Sequence, residues 1–348
     1  MSELEKFDYP LPRELVAQDP LKKRSDARLM VVERSSGRLR HHHVRDLPEL
    51  LRPGDRMVFN DTLVVPARML GYRTSTGGRW QGLYLSTEAD GSWRILCKTR
   101  GKLDIGDTVT LMSPNLQDDV RLRLLERREG GVWIVQPESY ESATEILGRV
   151  GRVPLPHYIR GGNMRDADVQ AYQTVYARAP GSVAAPTAGL HFTRELLERL
   201  QQSGIGITAV TLHVGMDTFR PIATQTLRSH QMHSEWAELT DKAAQELTAA
   251  RESGGRTVAV GTTSVRVLES AARSGTIAPY SGATDLFIRP PHEFQAVDAL
   301  LTNFHLPRTT LLVMICAFAG RDLVMKAYEE AVHEQYRFYS YGDAMLIL

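Results

Sequence analysis

Histidine, whose ordinary pKa lies nearest neutrality, recurs in this sequence where an apolar β-type run gives way to a loop. The run Thr211-Leu212-His213-Val214-Gly215 puts an imidazole at a strand end, a position suited to acid–base work, and Asp217-Thr218-Phe219-Arg220-Pro221 follows directly. The run Thr302-Asn303-Phe304-His305-Leu306-Pro307 sets Asn303 and His305 at a second strand end, ahead of another apolar run. In Pro186-Thr187-Ala188-Gly189-Leu190-His191-Phe192, small residues let a ligand approach the backbone just before a helix, whose first N–H groups suit an anion. The run Ala259-Val260-Gly261-Thr262-Thr263-Ser264-Val265-Arg266 reads as strand, polar glycine turn, helix, with backbone N–H groups and three hydroxyls able to cradle a carboxylate or phosphate or simply to cap the helix. In the segment 336–345, Tyr336, Tyr339 and Tyr341 beside Arg337 could stack on bases or form plain core.

What is missing narrows the chemistry. His230 and His233 stand three apart, the spacing of one helical face, ahead of Glu235. No H-E-x-x-H pattern or nearby cysteine completes a zinc set, so no metal is expected. There is neither G-x-x-x-x-G-K-[ST] nor G-x-G-x-x-G, which argues against a P-loop, a dinucleotide cofactor and the usual methyltransferase loop. Cys97 and Cys316 lie among apolar neighbours, which fits a reducing cytoplasm. The N-terminus has no apolar signal segment, and the run 311–319, readable as buried strand or helix, falls far short of the roughly 20 residues that span a bilayer. With a net charge of +1, any contact with nucleic acid must use a local patch. Candidates are Lys22-Lys23-Arg24 with Arg28, and Arg94, Lys98, Arg100 and Lys102. Ordinary solvated surface is the alternative for both.

These loops need a scaffold, and 348 residues imply two domains. Residues 7–28 read as an extended arm. Strands are expected at 29–32, 56–59, 207–212, 257–260, 298–302 and 310–315, and helices at 46–51, 193–202, 241–252, 264–274 and 323–336. Between 65 and 137 the texture differs. Short β-type runs at 67–70, 80–85, 93–98, 108–111, 121–125 and 132–135 are split by Gly, Ser and Asp turns and hold Trp80, Trp93 and Trp133, suggesting a small barrel. The expected architecture is a mixed α/β body of residues 1–64 and 150–348, with a six-stranded antiparallel β-barrel of residues 65–149 inserted in it. In open α/β sheets ligands sit beyond the strand ends, where the histidine loops lie.

Taken in order, six of these segments resemble one family. They are 186–192, 211–215, 233–235, 260–266, 302–307 and 339–345, joined by Phe7-Asp8-Tyr9, Pro53-Gly54-Asp55, Phe59-Asn60-Asp61-Thr62 and Pro66-Ala67-Arg68. The chain resembles, over almost its whole length, the S-adenosylmethionine:tRNA ribosyltransferase-isomerases of queuosine biosynthesis. The resemblance implies transfer and isomerisation of the ribosyl part of S-adenosylmethionine onto 7-aminomethyl-7-deazaguanine at the tRNA wobble position. Epoxyqueuosine forms, and adenine and methionine leave. It implies S-adenosylmethionine as co-substrate, no bound cofactor or metal, a tRNA partner, no membrane, and a monomer or weak homodimer. Because a carbon beside a sulfonium is acidic, His191, His213 and His305 become the acid–base candidates, with Asp217 and Glu235 orienting a histidine or meeting the amine. Thr262, Thr263 and Ser264 would hold the methionine carboxylate or an RNA phosphate. Arg220 and Arg266 would meet anionic groups, and Thr187, Gly189, His233, Gly261, Asn303 and Tyr341 would complete the substrate contacts. The chain departs from the family at Asp217, where Gly is usual, at Gln81-Gly82, where an acid is usual, and at Pro291, where Gly is usual. A tRNA-binding homologue that has lost the chemistry is the alternative these departures raise.

Overall fold

The computed structural model describes residues 3–215, 222, 224 and 226–348, so Asp217 and Arg220 lie outside the described residues. The chain divides into two compact units, one of residues 1–63, 156–161 and 170–348, the other of residues 64–155 and 162–169.

The larger unit is built on a nine-stranded sheet. Across it the strands run Tyr280–Thr284, Glu235–Leu239, Gly206–Leu212, Arg56–Asn60, Thr257–Val260, Ala299–Asn303, Ala344–Ile347, Arg28–Glu33 and Arg38–His43. The four strands from Gly206–Leu212 to Ala299–Asn303 are mutually parallel. Ala344–Ile347 then pairs antiparallel to Ala299–Asn303 and parallel to Arg28–Glu33, so segments from opposite ends of the sequence meet in the sheet. Successive side chains of a strand face opposite ways. Leu29, Val31, Val258 and Val260 enter one core while Met30, Val32 and Ala259 enter the other. Both faces are therefore covered, as the apolar runs of a mostly parallel sheet require. One face carries Thr262–Ala271, Asp241–Glu252, Thr310–Ala319 and Arg321–His333, and the other carries Leu47–Leu50 and Arg194–Gln202. Thr193 and Thr240 cap their helices by accepting from the backbone N–H three residues on.

Residues 310–315, expected as a strand, instead open the Thr310–Ala319 helix. A continuous apolar run has no period from which to choose. Thr309 supplies the cap, its hydroxyl accepting from Leu312 N at 3.4 Å. The spacing of His230 and His233 does not mark a helical face, because Glu235 opens a strand and residues 230–234 are non-helical. The N-terminal arm is less extended than expected: it folds into short 3₁₀ turns that bury Leu4, Phe7 and Leu15. Among the described residues no helix is long and apolar enough to cross a membrane.

The smaller unit holds a closed barrel of six antiparallel strands. Arg68–Arg73, Arg79–Thr87, Trp93–Thr99, Val132–Pro137, Asp118–Arg127 and Thr108–Met112 pair in that order, and the last returns to the first. Alternation along Asp118–Arg127 buries Val120, Leu122 and Leu124 with Trp80, Trp93 and Trp133. The capped Ala143–Val150 helix adds Ile146, Leu147 and Val150 to that core. Gly82 has a local reason: a Cβ there would stand 2.1 Å from the Trp80 indole. Gln81 faces outward and accepts from Arg68 at 3.2 Å.

Candidate active site

The parallel strands end together, and each hands its next residues to one edge of the sheet. Asp61-Thr62, His213, Gly261-Thr262 and Phe304-His305 follow the ends of four neighbouring strands. The antiparallel register Asn303↔Ala344 brings residues 339–343 back over that edge. The histidine loops, scattered in sequence, are thus gathered by strand direction alone.

Asn303 is the junction of the buried part. Its Oδ1 accepts from the Thr187 hydroxyl at 3.1 Å, while its Nδ2 donates to Tyr339 O at 3.0 Å and lies 3.1 Å from His191 Nε2. An amide nitrogen only donates, so this geometry assigns His191 Nε2 as acceptor and makes the ring neutral. Burial, with Arg337 and Arg24 nearby, pushes His191 down to about 4. His305 Nε2 lies 2.9 Å from Thr302 Oγ1, and burial pushes this ring down to about 3. The backbone of His305 is pinned on both sides, its N–H donating to Tyr328 Oη at 2.9 Å and its carbonyl accepting from Tyr9 Oη. The N-terminal arm thus fixes the second histidine.

A cleft opens among Pro186, Thr187, Gly261, Thr263, Asn303 and His305. Its wall includes the start of the Thr262–Ala271 helix, where the first N–H groups lack intrahelical carbonyls. Gly261 adopts φ +86° there, a conformation that disfavours any Cβ, and donates its own N–H to Leu301 O at 2.8 Å. The three hydroxyls differ. Ser264 donates back to Val260 O at 2.8 Å, so its hydroxyl serves the helix. Thr262 and Thr263 line the cleft, and the Thr263 hydroxyl is buried with no hydrogen-bond partner. Such a group calls for a ligand or water to satisfy it.

His213 stands apart from this buried set. Its Nδ1 lies 2.8 Å from Thr62 Oγ1, and its ring stacks on Trp236 with centroids 5.2 Å apart and planes 19° apart. Gly181 leaves room for the imidazole, since a Cβ there would stand 2.8 Å from Nε2. Half-burial lowers its pKa, with Asp61 and Glu238 opposing. Behind it, Asn60 bridges the Leu212 backbone with both side-chain atoms, and Asp61 accepts from Thr211 at 2.7 Å and from Arg178 at 2.9 Å. Asn60, Asp61 and Thr62 entered the sequence reading by name only through the family likeness. A polar cluster ending a central apolar strand was the signal available.

Other expected residues have structural duties. Glu235, expected to orient a histidine or meet the amine, and Arg266, expected to meet an anionic group, form a buried ion pair with each other. Glu235 also accepts from Gly215 N at 2.6 Å, and Arg266 donates to Thr284 O at 3.1 Å. Together they clamp the loop after His213. Gly189 is a close-approach residue, as a Cβ on it would overlap Tyr176 Oη at 1.9 Å. His233 is exposed. Tyr341 packs edge-on to Tyr172 and, with His191 and Arg24, lines a second cleft. Arg24 and Arg28, read with Lys22 and Lys23 as a candidate nucleic-acid patch or solvated surface, donate to the carbonyls of Gln173 and Glu334. On the barrel, Arg94, Lys98, Arg100 and Lys102 do face solvent.

Comparison with known proteins bears on what this edge of the sheet does. The family model for queuosine biosynthesis protein matches residues 4–347. An S-adenosylmethionine:tRNA ribosyltransferase-isomerase of Desulforamulus reducens is 45% identical over 99% of this chain and 100% of its own. One of Anaeromyxobacter dehalogenans is 51% identical, with 99% of each chain covered. The crystal structure of an S-adenosylmethionine tRNA ribosyltransferase from Thermotoga maritima matches with a TM-score of 0.57 at 37% identity, over 99% of this chain and 100% of that one.

Proposed function

Since the chain belongs to the family of queuosine biosynthesis proteins, the S-adenosylmethionine:tRNA ribosyltransferase-isomerases, we propose that the cleft between the 186–191 loop and the Thr262–Ala271 helix holds the sulfonium co-substrate. The protein is an S-adenosylmethionine:tRNA ribosyltransferase-isomerase. It acts on tRNA carrying 7-aminomethyl-7-deazaguanine at the wobble position, leaves epoxyqueuosine, and works in the cytoplasm without a resident cofactor or metal.

The observation that carries the placement is the buried, unpartnered Thr263 hydroxyl beside the open first turn of a helix. A carboxylate suits that corner, because it accepts hydrogen bonds from the hydroxyl and the free N–H groups and meets the positive end of the helix dipole. The methionine carboxylate of S-adenosylmethionine is the natural candidate, held by Thr262 and Thr263, with Ser264 supporting the helix. Across the cleft, Thr187, Asn303 and His305 face the reacting carbons, with His191 hydrogen-bonded to Asn303 behind them. A base removes the proton beside the sulfonium, adenine leaves with a proton, and the amine of the modified base attacks the ribosyl carbon skeleton before methionine departs. Neutral imidazoles can accept the first proton. His213, half-buried, is the leading group to accept that proton, while His191, whose Nε2 accepts from Asn303, has only its Nδ1–H left to donate. Glu235 and Arg266 position the loop that follows His213.

The test is to mix the protein with S-adenosylmethionine and tRNA bearing the aminomethyl base, then measure free adenine, methionine and the mass of the wobble nucleoside. Adenine release that depends on the RNA, with a matching gain of the ribosyl-derived group, is expected. Thr263→Val should raise KM for S-adenosylmethionine at least tenfold. Absence of adenine release would end the assignment, and an unchanged KM in T263V would move the carboxylate elsewhere.

A further inference from the structure

Of the four tryptophans, Trp80, Trp93 and Trp133 are core residues, whereas Trp236 is 40% exposed. Its neighbours on the same strand, Glu235 and Ala237, point inward, so the exposure follows from strand alternation. Trp236 is held in register between two strands, opposite Ala283 on one side, with its carbonyl accepting from His213 N at 3.0 Å on the other. Its indole stacks on His213, itself fixed by Thr62. The next residue after His213, Val214, lines the cleft described above. An aromatic plane is therefore presented to solvent, stacked on a histidine whose chain neighbour lines the cleft. The charges around it are mixed: Glu238 follows on the same strand face, and Arg178, 77% exposed, pairs with Asp61 beside Thr62. That setting suits a neutral flat partner better than a phosphate.

We propose that Trp236 is a stacking platform for an unstacked nucleobase of the tRNA, one next to the base being modified. The inference rests on the tRNA substrate assigned under the proposed function. An enzyme that does chemistry on one base must separate it from its neighbours, and the surfaces freed by that separation need a new partner. A tryptophan face stacks on any base and tolerates sequence change. Its rigid mounting means that little side-chain freedom is lost on binding.

The distribution of tryptophans makes the test direct. Indole fluorescence of the full-length protein is followed on titration with tRNA and, separately, with S-adenosylmethionine alone. Quenching by tRNA is expected in the wild type and should be absent in Trp236→Phe. A titration with S-adenosylmethionine alone should leave the signal in place, and quenching there would reassign the platform to the co-substrate's adenine and overturn the proposal. Trp236→Leu, which keeps apolar cover over His213 but removes the π face, should raise Kd and KM for tRNA about tenfold. KM for S-adenosylmethionine should stay near the wild-type value in that variant, while Trp236→Phe retains most of the RNA affinity. Binding of tRNA with no change in fluorescence and a normal KM in W236L would sink the stacking assignment alone. No binding of tRNA at all would sink the proposed substrate with it.

Discussion

The three histidines nominated by the sequence occupy two unlike environments on one edge of the sheet. His191 and His305 are sealed in, each within hydrogen-bond distance of a polar side chain at one ring nitrogen and each pushed well below the ordinary value by burial. His213 is half-buried, hydrogen-bonded at one nitrogen and stacked on an exposed indole. The difference teaches that histidines at strand ends are not interchangeable. The sealed rings are kept neutral and oriented by a fixed polar frame, whereas the half-open ring keeps access to a proton from outside.

Breaking the frame should cost most. Arg266→Met strands Glu235 as a buried, unpaired charge, which should cost about 3–5 kcal/mol of stability and be visible as a large fall in the urea midpoint. If that variant were as stable as wild type, the pair would not be the clamp behind the loop that follows His213. Next, Asn303→Ala removes at once the partner of Thr187, His191 and the Tyr339 carbonyl. Adenine release should fall about 100-fold, roughly 2.7 kcal/mol, while His213→Gln, acting in the other environment, should retain binding of both substrates. Equal KM and kcat in N303A and wild type would remove the sealed region from the chemistry.

The pH dependence of stability sharpens the contrast further. His191 and His305 have folded-state values of about 4 and about 3 against an ordinary 6.5. Below 6.5 the unfolded chain takes up protons that the native state refuses, so stability is full above that value and is lost as pH falls toward 4 and then 3. Unfolding midpoints measured from pH 7 to pH 4 should therefore decline in the wild type and decline less steeply in His191→Asn. An identical slope in the variant would contradict the sealed, neutral ring. The smallest effect belongs to Thr62→Val, which keeps the shape beside His213 but removes its hydrogen bond. About threefold slower turnover is expected, with a shifted acidic limb in the pH–rate profile.

Much of this organisation was legible from residue order. The barrel strands announced themselves through short β-type runs and turn residues, and the helices expected at 193–202 and 241–252 stand at Arg194–Gln202 and Asp241–Glu252. The apolar run at 310–315 misled because burial on all sides erases the period that separates helix from strand. Arg38–His43 went unread for the opposite reason: it is a partly exposed edge strand whose polar side chains carry no apolar alternation. In the site, loop position told which histidines gather but could not tell that Glu235 and Arg266 spend their charges on each other. Those two are 31 residues apart in the chain and meet only because one strand and one helix are packed together. Trp236 was silent for the same reason, since nothing in the sequence separates an exposed tryptophan from a buried one without the strand's register.

The strand Ala344–Ile347 sits inside the sheet, between Ala299–Asn303 and Arg28–Glu33, rather than at its rim. A chain emerging residue by residue therefore has every barrel strand in hand long before the body can join its two halves. Until residues 339–347 arrive, Arg28–Glu33 lacks its parallel neighbour, Asn303 lacks the Tyr339 carbonyl, and the cleft beside His191 lacks a wall. Pairings of such long sequence separation form slowly. The wall of the histidine edge thus depends on a four-residue strand whose two partners lie far from it in sequence on one side and near it on the other.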